Sequence, residues 1–131
     1  MKKQLGLIIV FLASLGTTNA QDSTSILFIG NSYTYFNNMP EILAEIAESF
    51  GNHVQHGSQT PGGMTFSGHA GNTATYNAMN NENWDYVVLQ AQSQEPSFPY
   101  GQVNTQTLPF AMQLADSAQA LSTCSQAMFF M

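Results

Sequence analysis

Short continuous runs of apolar residues alternate along this chain with longer segments in which apolar residues recur every three or four positions. The continuous runs are typical of strands buried in a parallel sheet, and the spaced ones of helices with one buried face. Strands are predicted at 25–29, 53–58, 84–89 and 127–131. Helices are predicted at 40–50, 68–80 and 105–121. The helix at 40–50 carries its carboxylates on one side and an apolar stripe on the other, which we expect to face the sheet.

Strands that alternate with helices predict an α/β fold: a three-layer α/β/α arrangement around a parallel, flavodoxin-like sheet. No turn, helix or further strand follows the run at 127–131. We therefore expect residues 21–131 to be the N-terminal part of a single domain that is truncated at its C-terminus. Ligands bind outside the carboxyl ends of the strands in such sheets, so the loops after 29, 58 and 89 are the ones to examine.

The first 20 residues have the pattern of a secretory signal peptide. Lys2 and Lys3 precede an apolar run from Leu5 to Leu15, and small and polar residues follow as far as Ala20. The run is too short to span a bilayer, which needs about 20 residues as a helix. We expect cleavage near Ala20 and a secreted or periplasmic protein, with no lipid anchor because no cysteine follows the run.

Charge and cysteine content exclude several function classes. Lys2 and Lys3 are the only basic residues among 131, against eight Asp and Glu, and the formal net charge is −6. A mature chain without Lys or Arg lacks the groups that neutralise nucleic-acid phosphates or bind anionic membranes. The single cysteine, Cys124, makes no internal disulfide, and no zinc-binding spacing occurs. We expect Cys124 to be a small buried residue.

A serine directly beyond the first predicted strand is the strongest candidate for chemistry. In the sequence Gly30-Asn31-Ser32-Tyr33-Thr34, the glycine permits a tight turn, and the serine then lies at the sheet edge beside a helix start. Such a serine suits a nucleophile whose own N–H stabilises an oxyanion. A turn serine that hydrogen-bonds its own loop is the alternative. Threonine at position 34 excludes the G-x-S-x-G nucleophile elbow.

The wider pattern resembles the SGNH/GDSL-type hydrolase superfamily. The sequence Ile-Leu-Phe-Ile-Gly-Asn-Ser-Tyr-Thr at 26–34 resembles the first motif of that superfamily, in the variant with asparagine after glycine. Gly63-Met64-Thr65 resembles the second motif, and 85–90 falls where the third strand of the family runs. The resemblance implies that Ser32 is the nucleophile and that Gly63 donates its N–H to the oxyanion.

Two departures from the family pattern affect the remaining roles. The family places an asparagine after its third strand; here Gln90 offers the same amide group, with Gln92 as second choice. The family also has Asp-x-x-His near its C-terminus, whereas His53, His56 and His69 all precede the third strand. We therefore expect the catalytic Asp and His to lie beyond residue 131. His69 is either a residue near the pocket mouth or a helix-start or surface histidine.

Together these features predict a secreted serine hydrolase that cleaves ester bonds by acyl transfer through Ser32. Polar, uncharged loops favour small-molecule or carbohydrate esters as substrates, and no metal or organic cofactor is implied. Tyr33, Tyr35 and Phe36 either form a substrate rim or pack over the sheet edge. A non-catalytic secreted carbohydrate-binding or structural protein is one alternative. A flavodoxin-like binding module whose Ser32 loop holds a phosphate is another.

Overall fold

The computed structural model describes residues 23–121 and 124–130 of the chain. Within them, four strands form one sheet in which every neighbouring pair is parallel. The strands are β1 (Ser23–Ile29), β2 (His53–Gln59), β3 (Tyr86–Gln90) and β4 (Gln126–Phe130). Their spatial order is β2-β1-β3-β4, so β1 and β3 are the central strands. The carboxyl ends of the four strands therefore lie along one edge of the sheet.

Helices connect the strands and flank the sheet. They are α1 (Ser32–Tyr35), α2 (Met39–Ser49), α3 (Phe66–Ala70), α4 (Thr73–Asn80), α5 (Tyr100–Gln102) and α6 (Leu108–Leu121). A 3-10 turn, Phe36–Asn38, separates α1 from α2, and a π-helical turn, Val103–Thr107, joins α5 to α6. The predicted α/β fold with a parallel sheet is confirmed.

Most element positions agree with the sequence pattern, and the differences have local causes. The helix predicted at 68–80 is two helices, because Gly71 ends α3 and Asn72 caps α4 by accepting the Ala74 N–H at 2.9 Å. The weak strand expected at 53–58 is seven residues long and pairs with β1 along its whole length. Its polar side chains obscured the alternation, since the strand lies at the sheet edge.

One hydrophobic cluster joins the sheet to the helices α3, α4 and α6. Alternate residues of the central strands point into it, because successive side chains of a strand face opposite sides. Its buried members are Leu27, Ile29, Phe66, Met79, Trp84, Val87, Leu89, Ala91, Ala111, Leu114 and Ala118. Trp84 packs over Gly57, where a Cβ would lie 2.7 Å from the indole ring. The first predicted strand is buried on both faces, as expected, since Leu27, Phe28 and Ile29 are all buried.

Two predictions of burial are wrong. The apolar stripe of α2 is not buried: Ile42, Leu43, Ile46 and Phe50 are between 37% and 79% exposed. The helix contacts the polar edge strand β2, in which Val54 is the only large apolar residue. Cys124 is also exposed, because it lies in the turn that precedes β4 and not within the strand.

The signal peptide predicted at 1–20 lies outside the described residues. Among the residues that the structure describes, no helix is long and apolar enough to cross a membrane.

Candidate active site

Ser32 lies just beyond the carboxyl end of β1, at the first residue of α1. It is half-buried and lines an open cavity of about 450 Å³ together with Tyr33, Tyr35 and Phe36. The N–H groups in the first turn of a helix have no intrahelical acceptor. Within residues 23–121 and 124–130, the Ser32 N–H indeed has no hydrogen-bond acceptor. Position 32 thus presents a hydroxyl and a free N–H at the sheet edge.

Asn31 holds the backbone that precedes the serine. Its side-chain Oδ1 caps α1 by accepting the Tyr33 N–H at 3.2 Å, and its Nδ2 donates to the Met64 carbonyl at 3.1 Å. Asn31 is almost completely buried. The second bond joins the loop after β1 to the loop after β2, so Asn31 sets both the entry to α1 and the approach of the neighbouring loop.

Gln90, the last residue of β3, is buried beneath the serine loop. Its Oε1 accepts the Asn31 N–H at 3.1 Å and the Thr34 hydroxyl at 3.0 Å, and its Nε2 donates to the Ala91 carbonyl. Gly30 makes this approach possible, because a Cβ there would lie 2.5 Å from Thr34 Oγ1 and 2.9 Å from Gln90 Oε1. The structure thus brings Gln90 directly against the loop that carries Ser32.

Gln92, the second choice for the same role, is placed differently. It lies in the loop after β3, where its side-chain Oε1 accepts the Gln94 N–H at 2.8 Å. Its backbone N–H donates to Glu95. The contacts of the Gln92 side chain thus stay within its own loop, whereas those of Gln90 reach the serine loop.

Gly63 lies in the turn after β2, on the exposed surface. The turn is closed by the Met64 N–H, which donates to the Pro61 carbonyl at 3.2 Å. Gly63 has φ +70°, a left-handed conformation that costs residues with a Cβ about 1–2 kcal/mol. In the part of the chain that the structure describes, its N–H has no acceptor. The next residue, Met64, is the one bonded to Asn31, so the Gly63 turn adjoins the serine loop.

His69 is a buried residue of α3, so the expectation of a helix-start or surface position is wrong. Its Nε2 lies 2.8 Å from the Gly30 carbonyl and its Nδ1 2.9 Å from Thr75 Oγ1. A carbonyl only accepts, so Nε2 carries the proton and Nδ1 accepts from the Thr75 hydroxyl. Burial lowers the pKa of His69 below 6.5, and the bond to the Gly30 carbonyl opposes this only partly. Neutral His69 therefore supports the peptide group just before Asn31 and does not contact the Ser32 hydroxyl. The sequence carried one sign of this burial: His69 follows Phe66 by three residues, a spacing that places both on the same face of a helix.

Glu95 is a second buried polar residue that sequence reasoning missed. Its carboxylate accepts the Gln92 N–H at 2.8 Å and the Phe66 N–H, at the start of α3, at 3.2 Å. These bonds join the loop after β3 to the helix that carries His69. Glu95 is the only charged residue in the stretch 90–99, and that isolation was the signal for it.

The other two histidines lie away from these loops. His53 and His56 on β2 pair with Glu48 and Glu41 on α2, at 3.3 Å and 3.1 Å. Among the residues described, no group of three or more His, Cys, Asp or Glu is arranged to hold a metal ion. The described part of the chain therefore assembles Ser32, Gly63 and Gln90 at one edge, without a histidine at the serine hydroxyl.

Neither a family model nor a curated protein matches the sequence. A solved structure does match: a DUF4886 family protein from Bacteroides uniformis ATCC 8492, at 20% sequence identity and a TM-score of 0.65. The match covers 82% of this chain and 49% of that one, so this chain spans about half the length of the protein it resembles. The likeness shows a shared fold, the parallel α/β sheet with its flanking helices.

Proposed function

We propose that the protein is a secreted hydrolase of ester bonds that works by acyl transfer through Ser32. The observation that carries the proposal is the position of this serine. It follows a central strand, begins a helix and lines an open cavity. Among the described residues its N–H has no acceptor, and the preceding Asn31 is bonded to Met64, the neighbour of Gly63. The carboxyl edge of a parallel sheet is where such folds bind their ligands.

The arrangement supports a two-step reaction. The Ser32 hydroxyl oxygen attacks the ester carbonyl while its proton passes to a general base. The tetrahedral intermediate then breaks its bond to the alcohol oxygen, which takes the proton and leaves. Water next gives a proton to the same base and attacks the acyl-serine. The second tetrahedral intermediate breaks its bond to Ser32 Oγ, which takes that proton back, and the carboxylic acid is released. The N–H groups of Ser32 and Gly63 are the donors proposed for the oxyanion, and donors of this kind are worth about 3 kcal/mol each in the transition state.

Gln90 has two parts in this proposal. Its Oε1 holds the Asn31 N–H and the Thr34 hydroxyl and so positions the serine loop. One Nε2 hydrogen is used by the Ala91 carbonyl, and the other is the group proposed to meet the oxyanion. Gln92 is the alternative donor.

The general base is assigned to a group outside the described residues. All three histidines have other partners: His69 contacts Gly30 and Thr75, and the other two pair with glutamates of α2. Because this chain spans about half of the solved protein it resembles, the activity is proposed for the natural gene product that contains residues 23–130.

Fluorophosphonate labelling of that gene product tests the assignment. We expect one labelled serine, Ser32, and loss of both labelling and p-nitrophenyl acetate hydrolysis in Ser32→Ala. Ser93→Ala is the matched control, because Ser93 is an exposed serine of the loop after β3, which leaves the same edge of the sheet; it should behave as the wild type. Equal labelling of Ser32→Ala, or no labelling of the wild type, would contradict the proposal.

A further inference from the structure

Three exposed aromatic residues surround Ser32. Tyr33, Tyr35 and Phe36, together the aromatic rim, are 64%, 49% and 68% exposed, and with Ser32 they line the open cavity. Contiguous exposed apolar surface is uncommon on soluble proteins and marks binding sites. Their exposure contradicts the alternative in which these rings pack over the sheet edge. They lie in solvent beside the candidate nucleophile, and a substrate rim stays a prediction.

The backbone holds the aromatic rim in this exposed position. After Phe36 the chain passes through two consecutive left-handed residues, Asn37 at φ 62° and Asn38 at φ 55°, before α2 begins. Residues other than glycine rarely adopt this conformation, and asparagine tolerates it best. Strained backbone of this kind concentrates at functional sites.

The chemistry around the aromatic rim selects a neutral, amphipathic ligand. Among the described residues, those that line the cavity include no charged side chain, and the chain has no Lys or Arg after residue 3 to pair with an anionic ligand. An acyl chain is best held in an enclosed apolar cavity, whereas these rings are 49–68% exposed. Two of them are tyrosines, which present an apolar ring and a polar hydroxyl. A pyranose ring matches this combination, because it has an apolar C–H face and hydroxyl groups along its edge.

We propose that the aromatic rim binds a sugar ring of a neutral carbohydrate and so presents an ester on that sugar to Ser32. Tyr35 connects the two regions: a Cβ on Gly62 would lie 3.4 Å from the Tyr35 hydroxyl, so the rim reaches the turn that carries Gly63. Delivery of the ester rests on the proposed hydrolase function, whereas binding of the sugar ring is measured without catalysis.

Affinity electrophoresis of the natural gene product tests the inference, in gels containing acetylated glucomannan or the same polysaccharide after deacetylation. We expect both gels to retard the wild type, and Tyr33→Ala and Phe36→Ala to bind roughly three- to tenfold more weakly, the loss expected for one aromatic contact. Phe50→Ala is the matched control, because Phe50 is 79% exposed at the opposite end of α2. Phe50→Ala should bind as the wild type does.

The outcomes separate this inference from the hydrolase proposal. If the gels retard the wild type but not the rim variants, and Ser32 is not labelled, the sugar site is supported and the hydrolase proposal is contradicted. Labelling of Ser32 without retardation, or with retardation unchanged in the rim variants, would overturn the sugar site alone. Binding of the rim to phosphatidylcholine vesicles in place of glucomannan, or rim-dependent dimers in sedimentation equilibrium, would also overturn it.

Discussion

The two sides of α1 have opposite chemistry, and both reverse the usual arrangement of a soluble protein. The inner side buries polar groups: Asn31 and Thr34 are almost fully enclosed, with Gln90 beneath them and His69 beside them. The outer side exposes the aromatic rim to solvent. Folding by hydrophobic burial alone would place the rings inside and the amides outside.

The inner side is stable because its polar groups satisfy one another. Gln90 Oε1 serves two donors, Asn31 uses both ends of its carboxamide, and both ring nitrogens of His69 are bonded. A buried polar group is costly only when it lacks a partner. Two of these bonds hold the backbone on either side of Ser32, at the Asn31 and Tyr33 N–H groups. A region that breaks local rules in this way is where a function is expected.

Among these variants, Gln90→Ala should lower the free energy of unfolding the most. It removes the acceptor of two buried donors, each worth about 1–3 kcal/mol when left unsatisfied. We expect the free energy of unfolding to fall by about 2–5 kcal/mol in urea denaturation. Gln92→Ala is the matched control and should cost less than about 1 kcal/mol, since its Oε1 accepts only one exposed N–H. Equal losses in the two variants would show that the inner side does not depend on Gln90.

His69→Leu should lower the stability by about 1–3 kcal/mol, because the Gly30 carbonyl and the Thr75 hydroxyl lose their partner. The pH dependence is specific to the imidazole. Since burial lowers the pKa of His69 below 6.5, the unfolded chain takes up a proton first as the pH falls. Stability should therefore decline below about pH 6.5, and the decline should be shallower in His69→Leu. Unfolding curves recorded from pH 7.5 to 5 measure this, and identical slopes would refute the assignment.

Gly63→Ala should cost about 1–2 kcal/mol, because alanine at φ +70° is strained even though no atom obstructs its Cβ. Gly101→Ala is the control, and it should raise the stability instead of lowering it. Gly101 lies in α5 with open space around it, and alanine in a helix is favourable by about 0.5–1 kcal/mol. Thermal unfolding of the two variants compares them directly. If Gly63→Ala left the stability unchanged, this turn would relax freely and would not present a fixed N–H.

The smallest effect on stability should come from the outer side of α1. Phe36→Ala removes a ring that is mostly in solvent, so the free energy of unfolding should change by no more than about 0.5 kcal/mol. Urea denaturation beside Gln90→Ala tests the contrast within one loop. A loss of more than about 2 kcal/mol would show that the ring contributes to the core and that the two sides are not as different as their exposure indicates.

Several features of this protein could be read from the sequence because they depend on neighbouring residues. The apolar run that ends at Gly30 predicts β1, and its end places Ser32 at the sheet edge. The turn that carries Gly63 follows β2, as its turn signal indicates, and the predicted strand at 84–89 overlaps β3, which ends at Gln90. Alternation of strands and helices predicts the parallel sheet, since parallel strands need a crossover between them.

Tertiary structure alone decided which polar residues are buried and which apolar residues are not. The periodicity of apolar residues shows which side of a helix could pack against an apolar surface, but not whether such a surface is present. Helix α2 lies against a polar edge strand, so its apolar stripe stays exposed. The bonds of Gln90 to Asn31 and of His69 to Gly30 join residues 59 and 39 positions apart. Such contacts form only when the sheet brings distant loops together. Those loops determine whether a side chain is buried and what it bonds to, because the residues next to it in the sequence do not specify which distant residues pack against it.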